Sequence, residues 1–225
     1  MPDHGVRLRR RLVSSDPGLS LIELVVAMAI FSGILAVGMS VLLTVQQQTR
    51  DTALRDDAVG EARVALSTMD RQVRSGNVLY NPADEAALGF PMSMRIYTQS
   101  NATKKCVQWQ IVPDSAHPGI GLIRSRSWSP GWQLDPVPAS AVSGWATVAR
   151  GLLNTATDPV APFQLEGSGT STAYGSRLVT INLLVKSPDD AAAAGGRPIT
   201  VRTSLSGRNT LYGFDPGVCS PIPSV

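Results

Sequence analysis

A chain of 225 residues, 43% hydrophobic and only 16% charged, is long enough for one sizeable core plus an anchor and is poor in charge for an ordinary soluble domain. Its formal charge of +3 does not describe a nucleic-acid-binding face: residues 1–18 hold four arginines against Asp3 and Asp16, and the rest carries 16 Lys and Arg against 15 Asp and Glu with no basic patch in the sequence. Two cysteines, Cys106 and Cys219, are too few and too far apart for a zinc site.

The first eighteen residues are polar, hold Arg7, Arg9, Arg10 and Arg11, and close with Asp16-Pro17-Gly18. An apolar run follows, and Leu24 to Val45 is twenty-two residues without a charge. About 20 helical residues cross a hydrocarbon layer roughly 30 Å thick, so a membrane span is expected. Arginines beside its start keep that end in the cytoplasm and export the C-terminal part. Ala27-Met28-Ala29 has the small-x-small form of a secretory cleavage site. However, the apolar run before it is short and contains Glu23, and a mostly apolar stretch continues after it.

Glu23 is the informative residue in this stretch. An ionisable group at the middle of a membrane helix costs about 2.5–3.5 kcal/mol on insertion scales, and less near an end. Glu23 lies about one turn into the apolar run, where it can reach the interface as a tolerated carboxylate or await a cationic partner. Gly33 and Gly38 each lower helix propensity by roughly 1 kcal/mol relative to Ala. They mark either a bend or, with Ala29, Ala36 and Ser40, a close-packing face between helices.

Gly18-Leu19-Ser20-Leu21-Ile22-Glu23-Leu24 resembles the prepilin signature shared by type IV pilins and type II secretion pseudopilins. That signature has Gly at the cleavage point, then an apolar residue, a Ser/Thr-like residue, two apolar residues, Glu and another apolar residue. The resemblance implies that prepilin peptidase cuts between Gly18 and Leu19 and that the new amino group of Leu19 is methylated. It also implies that Glu23, the fifth mature residue, meets the amino terminus of a neighbouring subunit. An amine and a carboxylate about 4 Å apart attract by roughly 4 kcal/mol at an effective dielectric near 20. Desolvation offsets part of that gain, so such a pair sets subunit register more than bulk stability. Leu19 stands where Phe is usual and Pro17 precedes the glycine; neither removes the Gly or the Glu.

Beyond Val45 the chain is polar, and small or apolar residues recur at Leu54, Ala58, Ala62, Ala65, Met69 and Val73, the stripe of an amphipathic helix. No proline interrupts Leu19 to Asn81, so span and stalk read as one helix, about 85 Å long from Leu19 to Ser75 at about 1.5 Å per residue. Ser75-Gly76-Asn77 is its stop signal. The stripe is expected to pack on the chain's own head. Glu61 to Leu66 and Met69 to Arg74 are similar to stretches in J-type minor pseudopilins and PilW-like minor pilins.

From Val78 prolines and glycines become frequent. Strands are predicted at Met92–Thr98, Cys106–Val112, Gly121–Arg126, Trp145–Ala149, Arg177–Lys186 and Ile199–Leu205. Pro188 to Gly196 reads as an exposed hairpin loop, and the tail after Leu211 as irregular. Trp109, Trp128, Trp132 and Trp145 are expected in the core, with a ligand-binding aromatic platform as the sharper alternative. Cys106 and Cys219 either form one disulfide that ties down the C-terminal tail in an oxidising exterior or remain two buried thiols; the first reading is favoured.

No catalytic constellation is found. His117 sits in a Pro-Gly loop signal, His4 is in the leader, and no phosphate loop, HExxH helix or CxxC pair occurs. Asp56-Asp57 and Asp189-Asp190 lack a calcium-loop pattern. No enzyme, cofactor or metal is expected.

The fold class expected is α+β, a long N-terminal helix packed on an antiparallel β-sheet head. Its segments are a leader (1–18), a span (19–45), a stalk (46–77) and an extracytoplasmic head (78–225). The function implied by the resemblance is that of a minor pilin or pseudopilin in a type IV pilus or type II secretion filament. Its partners would be prepilin peptidase, other pilin or pseudopilin subunits, an inner-membrane assembly platform and the lipid bilayer. An adhesin or DNA-uptake module on the same delivery route is a second reading, and a stand-alone membrane-anchored β-domain is a third.

Overall fold

A computed structural model describes residues 18, 20–99, 102–133, 141–166, 177–186, 198–208 and 214–224. Residues 1–17 of the predicted leader, Leu19, and the predicted loop with Asp189-Asp190 lie outside them. The chain divides into two compact units, Met1–Thr49 and Arg50–Val225. One helix, α1 (Leu21–Arg74), runs through both.

In the first unit every described residue is exposed. Large apolar side chains from Leu21 to Val45 range from 49% exposed at Leu43 to 81% at Leu21, so this stretch has no core of its own to join. The side-chain hydroxyls of Ser32, Ser40, Thr44 and Thr49 donate to the carbonyls of Met28, Val37, Ser40 and Val45. Each is thereby satisfied within the helix.

In the second unit the predicted stripe is the buried one. Ala58, Ala62, Ala65, Met69 and Val73 are the buried residues of α1, and they share a core with Met94, Ile96, Trp109 and Ile123 of the sheet. The first three positions are small and the last two larger, and all five are buried in that core. Arg71 and Arg74 in the last turn suit the helix dipole, and Ser75 Oγ donates to the Arg71 carbonyl at 2.9 Å. Gly76 follows, where a Cβ would stand 2.9 Å from the Val73 carbonyl oxygen. Glycine alone fits there.

The helix thus ends at Arg74, just before the predicted stop signal Ser75-Gly76-Asn77, and the sheet begins at once with β1 (Gly76–Leu79). A single-turn helix α2 (Pro82–Glu85) follows, capped by Asn81, whose side chain accepts from the Ala83 N–H at 3.2 Å. The remaining strands are β2 (Ser93–Thr98), β3 (Lys105–Pro113), β4 (Gly121–Trp128), β5 (Ala146–Leu152), β6 (Phe163–Glu166), β7 (Leu178–Val185) and β8 (Ile199–Ser206). Every pairing is antiparallel, in the order β1-β2-β3-β4-β5-β7-β6, with β8 also on β7. The six predicted strands are present within a few residues of their expected bounds. β1 and β6 are additions, four residues each and too short to show alternation.

The sheet has two covered faces over β2 to β4. Met94, Ile96, Val107, Trp109, Ile111 and Ile123 belong to the core shared with α1. The intervening residues form cross-strand rows on the other face: Tyr97–Cys106–Trp128, Arg95–Gln108–Arg126 and Ser93–Gln110–Arg124. A second small core forms there from Tyr97, Cys106, Trp128 and Cys219, with Phe214, Val218 and Ile222 of the C-terminal segment packed against it. Two of the four tryptophans depart from expectation: Trp109 and Trp128 are buried, whereas Trp132 and Trp145 are only partly so.

Candidate functional site

The N-terminal signature residues lie at the head of α1. The Ser20 carbonyl accepts from the Leu24 N–H at 3.1 Å, which closes the first turn and makes Ser20 the residue that starts the helix. Glu23 follows three residues later, in that first turn, where the unpaired N–H groups and the helix dipole favour an anion. It is exposed, and it is the sole charged residue from Leu21 to Thr49. A carboxylate here therefore suits the helix end by itself, and it is also accessible to a cation from outside the chain. Gly18 is exposed and irregular, and a Cβ added to it would meet nothing within 4 Å. Nothing in the described packing requires glycine at that position. Gly33 and Gly38 lie within the unbroken helix, and a Cβ on either likewise meets nothing.

Cys106 and Cys219 are joined by a disulfide, with Cα atoms 5.7 Å apart and 113 residues apart in sequence. Around it the carbonyls of alternate residues in the C-terminal segment are held in turn. Arg95 Nη1 donates to Cys219 O at 3.2 Å, Trp132 Nε1 to Pro221 O at 2.9 Å, and Arg126 Nη2 to Pro223 O at 2.8 Å. Tyr80 Oη accepts the Cys219 N–H at 3.2 Å. The arginines are buried to 5% and 2% exposure, both lie over aromatic rings, and Arg95 has a carboxylate partner. Arg95 pairs with Glu85 at 2.9 Å and lies 3.9 Å from the Tyr80 ring centre. Arg126 bonds Gln108 at 2.9 Å and lies 4.4 Å from the Trp145 ring centre. Burial pushes the Glu85 carboxyl up, with Arg95 opposing it. Burial, with Arg124 nearby, brings the Arg126 guanidinium down to about 10.

Arg95, Gln108 and Arg126 were not legible as a group in the sequence. Their signal was a polar residue at every second position of an otherwise apolar strand, as in Met94-Arg95-Ile96. That signal says a second face exists, not what covers it.

His117 is in a loop, but it is tied there. Its Nδ1 lies 3.1 Å from Asp114 Oδ2, and Arg150 Nη1 donates to the same oxygen at 2.6 Å. The main-chain N–H of Arg150 donates to Glu61 on α1 at 2.9 Å. These contacts fasten the β3–β4 loop, β5 and α1 together. Among the described residues no group of three or more His, Cys, Asp or Glu is placed to hold a metal ion.

By length and composition α1 is able to cross a membrane. No family model, curated protein or solved structure matches the chain.

Proposed function

We propose that this chain is a minor pilin or pseudopilin, a structural subunit trimmed at Gly18 and assembled through α1 into a type IV pilus or type II secretion filament. The observation that carries the reading is the lone carboxylate of Glu23 in the first turn of a helix that is otherwise uncharged and exposed as far as Thr49, five residues after a glycine that the described packing does not require. Cutting the Gly18–Leu19 bond creates an amine at the head of that helix. Within a filament the amine of one subunit neutralises Glu23 of another, so neither charge enters the apolar bundle alone. Removal of the leader also takes away four arginines that resist withdrawal of the helix from the bilayer. The large head suits a tip or initiation position.

The deciding experiment is N-terminal mass mapping of the protein taken from its native host. A mature chain that begins with N-methyl-Leu19 is the expected result. An intact leader removes the filament reading and leaves a membrane-tethered β-domain.

A further inference from the structure

Strand β6 has an edge that no described strand pairs with, and although Phe163 and Leu165 bury their side chains, both line a groove. The ladder bond from the Asn182 N–H to Pro162 O, 2.9 Å, fixes the phase of the β6–β7 pair, in which Phe163 faces Ile181 and Leu165 faces Val179. In an antiparallel ladder the residues between bonded pairs turn their main-chain groups the other way. Phe163 and Leu165 therefore present two N–H and two C=O groups on the edge away from β7. Among the described residues no strand pairs with that edge.

A groove of about 530 Å³ adjoins β6, lined also by Pro82, Ala83 and Ala86 from α2 and its C-terminal flank, and by Met92. Its lining holds no basic side chain; Asp158 and Glu166 are its ionisable members. Both oxygens of Asp158 are engaged by Thr155. Glu166 is exposed and uses Oε1 for the Thr180 hydroxyl at 2.9 Å.

We propose that this groove binds an extended peptide segment of a partner protein, uncharged or basic, which adds to β6 as a further strand. The repeat decides the ligand class. Outward-facing groups recur every second residue, about 6.6–6.8 Å along the strand, which is the spacing of another extended chain. Main-chain bonds from Phe163 and Leu165 supply the attachment, the apolar wall of Pro82, Ala83 and Met92 receives alternate side chains, and the two carboxylates set the preference for cations. This inference does not depend on processing at Gly18.

The test uses the full chain in detergent micelles with its disulfide intact. The probes are the peptides acetyl-Val-Lys-Val-Lys-Val-amide and acetyl-Val-Glu-Val-Glu-Val-amide. The lysine peptide is expected to bind saturably with Kd below about 1 mM and to slow hydrogen exchange at the Phe163 and Leu165 amides. The glutamate peptide binds at least tenfold more weakly. Ala83→Trp, at an exposed position on α2, lowers affinity for the lysine peptide at least tenfold, and Glu166→Lys removes the preference between the two. Absence of binding, unchanged exchange at the two amides, equal binding of both peptides, or indifference to Ala83→Trp each overturns the proposal. Self-association of the chain that protects the same amides and is lost in Ala83→Trp also overturns it, because the edge then belongs to a second copy.

Discussion

Trp109 Nε1 donates to Gln72 Oε1 at 2.7 Å, one polar contact within the interface between the third strand and α1. Trp109 is wholly buried in that interface, so its N–H has no access to solvent. Gln72→Ala is expected to destabilise the protein by about 1–3 kcal/mol, the cost of a buried donor left without its acceptor. Urea unfolding followed by tryptophan fluorescence measures it. A change within about 0.5 kcal/mol, the usual range for a surface substitution, contradicts the assignment.

The disulfide closes a loop of 113 residues and pins the segment that covers the second face of the sheet. The double variant Cys106→Ser, Cys219→Ser should lose about 2–5 kcal/mol, as removal of a native disulfide commonly does in small exported domains. Reduction of the wild type should lower its unfolding midpoint to the same value, while leaving the double variant unchanged.

Asp114 gives the acid branch of the stability profile. Its carboxyl is lowered to about 2 from an ordinary 3.8, first by the Ala116 N–H, then by His117 and Arg150. A lowered carboxyl contributes stability above its unfolded value and loses it as pH falls toward the folded one. The wild type should therefore lose stability between about pH 4 and pH 2, and Asp114→Asn should show a shallower fall across the same window. Glu85 is raised by burial and acts in the opposite sense, its share being present below its ordinary 4.5 and lost as pH rises through the folded value. The comparison of wild type with Asp114→Asn isolates the first effect.

Glu23→Ala should be inserted and cut at Gly18 as efficiently as wild type, yet enter filaments at least tenfold less well. Glu23→Gln separates the two uses of the side chain. It keeps a polar group at the helix start but cannot neutralise an amine, so it should assemble as poorly as the alanine variant. Sheared-fibre immunoblotting with a leader-cleavage assay reads both, and normal incorporation of either variant shows that the carboxylate has no assembly role.

The sequence carried the helix and most of the sheet because their signals are periodic. Ala58, Ala62, Ala65, Met69 and Val73 recur at steps of three and four, and each is buried. Strand β7 was marked by a long β-branched and aliphatic run. By contrast, Phe163–Glu166 is a strand because β7 offers it a ladder, which four residues cannot announce. The tryptophans show the same divide. Trp109 alternates with core residues along β3, whereas Trp145 lies just before β5 and stacks on Arg124 and Arg126, a role fixed by residues some twenty positions away. The pattern around Gly18 and Glu23 is local and so is visible in the sequence; its role is the function proposed above. The unpaired edge of β6 was not, since it consists in the absence, among the described residues, of a strand on one side.

The five helix side chains that complete the main core precede the first strand in the chain. A protease cutting near Ser75 would release the described strands without the wall they are folded against, and so no stable β-domain. Release of the second unit with its core intact is possible only by a cut upstream of Ala58. Any soluble form recovered from culture should therefore still carry that stretch of helix at its new amino terminus.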